Sequence, residues 1–576
     1  MTTPARPPSG VETLKTASDF LRGDLAAELA AGGIQVSEDG YNLLKFHGSY
    51  EQFDRDTATA RKQAKLEKDY QFMVRVRMPG GRLTAAQYLA FDALADRYAN
   101  ATLRITTRQG IQFHGILKGD LKASIADINH TGLTTLAACG DVVRNLMTTA
   151  APRRDARHAQ VQADAEHLSR VLLPRTRAYA EIFLDEEPVS PEPQEIEPLY
   201  GPTYLPRKFK IGIALPGDNT IDVLTQDLGI IALFDEADVL TGYLIAVGGG
   251  LGMTHNRADT FPRLATPVCV VPPDRLVDIV EAVIRLQRDH GDRTDRKRAR
   301  LKYVVHDRGI EWIIATLAEY YGEPLTPPPA LPSLAVPDLL GWHEQGDGNW
   351  WLGVPVPSGR IADYDADAGE GLANVRLRSA LHEIATRFGH VAPIMTPQQD
   401  VLLSDARPED RDAIDAILAG HGVVPASRLT PLARFALACP ALPTCGLALH
   451  EAERVREPLV LQFEALLAKY GRADRSISLR ITGCPNGCAR TYTGDIGLVG
   501  RMPGHYALYV GGDFEGTRLS FRLLDRVPDA KLIPSFEPLV AAWAEQGRDH
   551  EGFGDFCDRL GRDRLLALID HAAQAA

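Results

Sequence analysis

Four of the seven cysteines fall in two pairs near the C-terminus: Cys439 and Cys445 in "ACPALPTCGLALHEAER", then Cys484 and Cys488 in "ITGCPNGCARTYTGDIGLVG". The spacing is C-x5-C, a long gap, then C-x3-C. Four thiolates can hold a zinc ion or an iron–sulfur cluster. Structural zinc is usually gripped by closer knuckles, and the wider spacings here suit the larger four-iron cube; reactive or buried thiols are the third reading. Pro485 and Gly487 sit inside the second pair and favour a turn that aims backbone N–H groups at cluster sulfides. Cys139, Cys269 and Cys557 are scattered, and Cys269 and Cys557 read as buried small residues.

The rest of the chain sets the setting for that chemistry. With 576 residues, about three domains are expected. Hydrophobic residues at 45% and charged residues at 24% describe an ordinary soluble protein. A net charge of −12 argues against general nucleic-acid affinity and against docking on anionic membranes. The N-terminal "MTTPARPPSGVETLKTASDF" lacks the apolar core of a secretory signal, and no apolar run approaches the ~18 residues of a membrane span. The expectation is a cytoplasmic protein with reduced thiols, in which clustered cysteines mean metal binding or redox catalysis.

The elements that must position these residues are written twice. "FMVRVRMPGGRLT" (72–84) and "WLGVPVPSGRI" (351–361) each begin as a strand and reach a Pro-x-Gly turn followed by Arg and an aliphatic residue. A helical stretch follows each ("AAQYLAFDALADRYA", "LRSALHEIATRFG"), then a second strand region ("TLRITTRQGIQFHG", "HVAPIMTPQQDVLLSD") and a second helix. The β-α-β-β-α order suits a ferredoxin-like α+β module. The segments beyond them agree too: 206–233 and 475–500 each run strand, Pro-Gly or Pro-Asn turn, and an Asp-aliphatic-Gly-aliphatic ending. Only the second copy carries cysteines; the first carries Arg207, Lys208 and Lys210. An old duplication, one half holding a metal centre and the other an anion, accounts for the pattern. Pro-rich stretches at 186–206 and 323–337 read as linkers, and the first sixty residues as an arm.

At this point the chain resembles the sirohaem and [4Fe–4S] sulfite and nitrite reductase family, on its assimilatory sulfite reductase side. The resemblance is carried by "CPALPTCGLALHEAER" with "TGCPNGCARTY…GLVG", by "LLKFHGSYEQFDRD", "RITTRQGIQFHGIL", "CGDVVRNLM", "LPRKFKIGI", "RTDRKRARLKY" and "FGDFCDRLG", in the family's order from about residue 40 onward. It implies an α+β fold: duplicated ferredoxin-like halves form a central domain (71–138 with 349–424), beside a first sirohaem and substrate domain (139–335) and an iron–sulfur and sirohaem domain (425–576), after an N-terminal arm (1–70). It also implies that Cys439, Cys445, Cys484 and Cys488 ligate the cluster, with Cys488 bridging to the sirohaem iron.

Sirohaem carries many carboxylates, so its pocket needs cations and donors. The family positions for these fall on Arg104, Thr106, Arg108, Gln112, His114, Arg207 and Asn486, with Arg300 and Lys302 from the basic run; a solvated basic face is the alternative for that run. The anion-binding quartet falls on Arg75, Arg144, Lys208 and Lys210. Lys208 and Lys210 lie two apart on an expected strand and so share one face. Four cations bind sulfite and supply protons as each oxygen leaves as water. The resemblance also raises a link between Cys139 and Tyr50, against the simpler reading of a free pocket thiol.

"VGGGLG" (247–252) lacks the spacing and acidic partner of a dinucleotide fingerprint, so it reads as a turn or as a close backbone approach to the cofactor. Without a nucleotide motif, electrons are expected from another protein, a flavoprotein reductase subunit or a ferredoxin. The leading function is six-electron reduction of sulfite to sulfide in sulfate assimilation and cysteine biosynthesis; Gly487 favours the sulfite branch over assimilatory nitrite reduction. A precorrin-type monooxygenase would not need the Lys pair. A non-catalytic iron–sulfur sensor would not need the whole anion set. A dissimilatory enzyme would carry further cysteines.

Overall fold

The strand Ile111–Ile116 shows how the first module is built. Ile111, Phe113 and Ile116 turn to one side, where Phe113 meets Phe91 of the helix Ala85–Tyr98 edge-on at 5.6 Å. That helix starts at a capping box, Thr84 with Gln87. Gln112 and His114 alternate to the other side, the pattern of a half-solvated strand, yet both are buried. The polar face is therefore covered by something other than water.

The computed structural model describes residues 6–176, 178–179, 183–184, 187–188, 197–369 and 371–575. Residues 186 and 189–196 of the first expected linker, and residues 1–5 of the expected arm, lie outside them. The first module is a sheet in the order Ser49–Phe53, Tyr70–Arg75, Ile111–Ile116, Leu103–Ile105, Arg360–Ile361. The second is Gly341–Glu344, Trp350–Val354, Val401–Ala406, Ala392–Met395. Each carries its helices on one side, Ala85–Tyr98 and Leu121–His130 in one, Leu377–Arg387 and Arg411–Gly420 in the other. The two modules exchange edges: Arg360–Ile361 pairs with Leu103–Ile105, and Arg82 bridges Ile394. Gly81 and Gly359 make this crossing possible. Both have positive φ, and a Cβ would stand 2.2 Å from Met395 O and 2.5 Å from Ile105 O respectively.

Two further sheets repeat one topology. One runs Thr266–Val271, Leu240–Val247, Leu228–Phe234, Ile211–Ala214, Met147–Thr148; the other runs Phe521–Pro528, His505–Val510, Ile496–Met502, Leu479–Thr482, Leu437–Ala438. In each, the last three strands are parallel and the first two antiparallel. Between the two longer parallel strands a left-handed residue, Asp222 (φ 49) or Arg490 (φ 59), opens a short 3-10 turn. Asp227 and Asp495 follow and accept the backbone N–H of Lys210 (3.0 Å) and Ser478 (2.8 Å) at the foot of the neighbouring strand. The duplication expected from the sequence is thus present at the level of single hydrogen bonds.

The first sixty residues do more than wrap. Ser49–Phe53 pairs antiparallel with Tyr70–Arg75 and completes the first sheet, and Lys15 Nζ reaches back to Leu205 O at 2.7 Å. The second module likewise begins before 349, because Gly341–Glu344 pairs with Trp350–Val354. Stretch 323–337 is irregular, as expected of a linker, but lies along the first α/β unit: Gly217 N donates to Ser333 O and Asn219 N to Ala335 O. One continuous apolar core runs from Leu21 to Val423, and residues from Leu432 to Leu565 form another. Among the described residues no helix is long and apolar enough to cross a membrane.

Candidate functional site

Strand register places a polar row across the first sheet. Arg75 stands opposite Gln112, Gln112 opposite Arg104, and Arg104 opposite Arg360. Tyr50 lies opposite Met73, two residues before Arg75, and His114 lies two residues after Gln112, so all share one face. This face forms one wall of a cavity of about 640 Å³. Arg144, Lys208 and Lys210 close it from the first α/β unit, and Cys439, Cys445, Cys488 and Asn486 from the second.

The lysines are carried on the extended lead-in to Ile211–Ala214 rather than on the strand itself. Phe209, between them, bridges Val143 and is fully buried, so its neighbours turn together into the cavity. Burial, then the Arg144, Arg300 and Arg207 charges, lowers Lys208 to about 7. Burial and Lys208 push Lys210 well below the usual lysine range. Arg144 donates to Gly140 O (3.2 Å) and to the Tyr50 hydroxyl (3.2 Å), while Arg75 Nη1 donates to Cys139 Sγ (2.9 Å). With its amide oxygen turned to Arg75, Gln112 accepts from Nη2 and Nε. Tyr50 and Cys139 are therefore held by the two arginines that the sequence assigned to the anion.

The other expected contacts separate into two groups. His114 is buried, both ring nitrogens lack a partner, and burial with the Arg360, Arg104 and Arg75 charges keeps it neutral. Arg108 bonds Gln226 Oε1 (2.6 Å) and Asn145 O (2.6 Å) but keeps Nε unpartnered; burial first, then Arg144, lowers it to about 9. Thr106 Oγ1 accepts from Arg108 N (3.2 Å) and Gly110 N (3.1 Å), fixing the turn that presents Arg108. Arg104 lines the cavity while holding Ser358 O (2.6 Å), Ala438 O (3.0 Å) and Glu453 (3.2 Å), which fastens the strand before Cys439 to both modules.

Arg207, Arg300 and Lys302 stand behind the cavity wall, not on it. Arg207 is surrounded by Asp141, Arg296 and Arg144. Arg300 makes a two-pronged pair with Asp227, and Lys302 Nζ donates to Gly250 O (3.1 Å), Gly252 O (2.7 Å) and Phe261 O. Burial, then the Arg300 charge, lowers Lys302 to about 6. The glycine run explains this packing. A Cβ at Gly249 would sit 2.3 Å from Leu224 O, and one at Gly250 would sit 2.6 Å from the Arg300 guanidinium. Just beyond the run, Met253 N donates to Pro485 O (2.9 Å) on the cysteine loop.

Cys439, Cys445, Cys484 and Cys488 lie within mutual electrostatic reach. Burial, then Cys488, raises Cys439 well above the usual thiol range and Cys484 to about 12. Gly483 N donates to Cys439 Sγ (3.3 Å), and Asn486 bonds Cys484 through backbone and side chain. Among the described residues no three His, Cys, Asp or Glu side chains converge on a single-ion site. Gly487 takes φ +61, and a Cβ there would meet Tyr492 Cε2 at 2.7 Å, so the C-x3-C turn is tied to glycine. The sequence reading missed the apolar side of the cavity, Tyr41, Phe53, Met73 and Leu447, because isolated apolar residues carry no functional signal. It also missed Asp227, whose only mark was the repeated Asp-aliphatic-Gly ending.

Fold and site together define a duplicated redox protein with four clustered cysteines beside a cationic cavity of about 640 Å³, far larger than a small anion alone needs. The family described as nitrite and sulphite reductase 4Fe-4S domain matches residues 163–325 and 434–575, and that described as nitrite/sulfite reductase ferredoxin-like half domain matches 64–130 and 343–421. The chain is 45% identical to a sulfite reductase [NADPH] hemoprotein beta-component of Myxococcus xanthus, over 96% of this chain and 97% of that one. It is 43% identical to a sulfite reductase [ferredoxin] of Synechococcus elongatus, over 97% and 90%. A solved structure of the Mycobacterium tuberculosis NirA protein has the same fold, with a TM-score of 0.78 and 24% identity over 97% of this chain and 98% of that one. The chain belongs to the nitrite and sulfite reductase family.

Proposed function

We propose that the chain is an assimilatory sulfite reductase haemoprotein: it takes sulfite to sulfide with six electrons at a sirohaem coupled to a [4Fe–4S] cluster. The observation that carries this reading is the convergence of Arg75, Arg144, Lys208 and Lys210 with Cys488 on one cavity. The residues present fit both groups. His114 and Arg108 Nε offer buried, unpartnered donors to a polar macrocycle, and four cysteines, Cys439, Cys445, Cys484 and Cys488, supply the cluster's thiolates. When bound, haem and cluster supply the electron-transfer chemistry.

The side chains divide the remaining work by their acidity. Arg75 and Arg144 hold the anion in place with their planar guanidinium forks. Lys208, at about 7, gives up a proton at neutral pH and regains one from solvent, as a general acid must for each oxygen that leaves as water. Lys210, which burial and Lys208 hold well below the usual lysine range, is the second donor. Neutral His114 donates one ring N–H without competing for the anion. In this reading electrons reach the protein from a flavoprotein reductase or a ferredoxin in the cytoplasm; the names of its relatives carry NADPH in one case and ferredoxin in the other.

The test is steady-state turnover of anaerobically purified, haem-loaded protein with reduced methyl viologen. The expected result is a higher kcat/KM for sulfite than for nitrite, with sulfide as product. A preference for nitrite overturns the sulfite assignment while leaving the cofactors in place.

A further inference from the structure

One carboxylate beside the lysine segment, Asp227, is fully buried. Its Oδ2 accepts Lys210 N at 3.0 Å and Arg300 Nη2 at 2.7 Å, and its Oδ1 accepts Arg300 Nε at 3.1 Å. Leu228 N returns a bond to Lys210 O at 3.1 Å, so the backbone of Lys210 is held on both sides. Arg300 also reaches Gly249 O at 3.4 Å, and Gly248 N donates to Asp227 O at 2.9 Å. One carboxylate thus joins the lysine segment, the glycine run and the start of the helix Leu301–Arg308.

The duplicated half supplies an internal control. Asp495 occupies the equivalent place and accepts Ser478 N (2.8 Å), Ser478 Oγ (2.6 Å) and Gly554 N (3.0 Å). The backbone clamp is common to both halves, but the guanidinium is added only where Ser478 is replaced by Lys210. The physical need is plain. A buried carboxylate with a free lone pair beside Lys210 and Arg108 would draw one of those cations into an ion pair and out of the cavity. Around Lys208 the acting charges are the cations Arg144, Arg300 and Arg207, with Cys488 as the acidic group.

We infer that Asp227 and Arg300 form a positioning pair for the anion pocket: Asp227 fixes the Lys210 backbone, and Arg300 saturates Asp227 so that the Lys208 and Lys210 ammonium groups stay free for the anion. This rests on the anion-pocket reading above. Neither residue touches the anion; both act through Lys210.

The experiment is a double-mutant cycle on the haem-loaded protein, reading KM and kcat for sulfite separately, with haem content measured from absorbance. Arg300→Met leaves Asp227 to capture a lysine, and the expected result is a rise of about tenfold in KM with kcat within about threefold. Adding Asp227→Asn removes the captor, and KM is expected to return to within about threefold of the parent. A double variant as impaired as Arg300→Met alone overturns the inference, as does a loss of haem with KM unchanged. If Arg300→Met does not load haem, lysine acylation of the unloaded protein, read by mass spectrometry of the peptide holding Lys208 and Lys210, replaces turnover. There, Arg300→Met alone must lose the protection that sulfite gives, and unchanged protection rejects the pair. Lys210→Met separates the two readings: if it leaves KM for sulfite unchanged, the anion pocket itself fails; if it raises KM while the Arg300 variants do not, only the positioning pair fails.

Discussion

Lys208 and Lys210 show how little of a residue's role is set by its type. An ordinary lysine stays charged far above neutrality, yet burial and three neighbouring cations bring Lys208 to about 7. The sign of the resulting pH dependence follows directly. Below about 7 the free site holds an ammonium that attracts the anion and can donate a proton; as pH rises through that value the group becomes neutral and both contributions fade. Nitrite, which keeps a single charge between about pH 6 and pH 9, reports this without titrating itself. Its kcat/KM is expected to fall as pH rises above about 7, and Lys208→Met is expected to flatten that limb while lowering the plateau by about 10² or more. A variant with the parent's pH profile would remove Lys208 from the proton-donating role. Substitution of Arg75 or Arg144 by Met is expected to change KM alike across all pH values.

At the scale of elements, the cysteine turn is the most demanding piece. Gly487 sits in the left-handed region with Tyr492 against its α-carbon, and Tyr492 OH donates to Pro485 O at 3.0 Å within the same loop. Gly487→Ala combines a left-handed alanine, about 1–2 kcal/mol, with a clash that must push Tyr492 or the loop aside. The expected outcome is a lower iron and sulfide content per chain, measured chemically, at nearly unchanged helix content by circular dichroism. Full cluster loading would show that the loop yields more easily than this packing allows. The turn itself was legible in "CPNGC", and so were the paired modules, because strand-turn-Arg and helix patterns repeat in order. Other features were not. The alternation in "IQFHGI" marks a polar face, but nothing local says that this face is covered by two other units. The basic run drew attention to Arg300 and Lys302, but their partners, Asp227 and the carbonyls of the glycine run, lie some 50 to 70 residues away. Sequence spacing carries the elements; the destination of a long side chain is fixed only when the elements pack.

The whole molecule is organised about an approximate two-fold relation, and one ion pair lies across it. Asp222 and Arg490 are equivalent residues: each is left-handed, and each opens the 3-10 turn between the two longer parallel strands of its sheet. They pair with each other at 2.8 Å, and both are buried. Arg490 further donates to Thr220 O (2.8 Å), Pro397 O (2.9 Å) and Gln398 Oε1 (2.8 Å), so one side chain ties both α/β units to the second ferredoxin-like module. The cavity is walled by these same bodies, which gives the pair a functional consequence: it fixes the lysine segment of one half against the cysteine loop of the other. Arg490→Met leaves Asp222 buried without its cation and orphans three acceptors, a loss of about 3–5 kcal/mol. Asp222→Asn costs less, because Arg490 keeps its other partners. If the pair is the link, the two changes do not add: the double variant is expected to lie nearer to Arg490→Met alone than to the sum of the singles, in the first thermal transition of the unloaded protein. Strict additivity would mean that the halves are held by their apolar contacts, and that the charge pair across the axis only marks where the duplication folded back on itself.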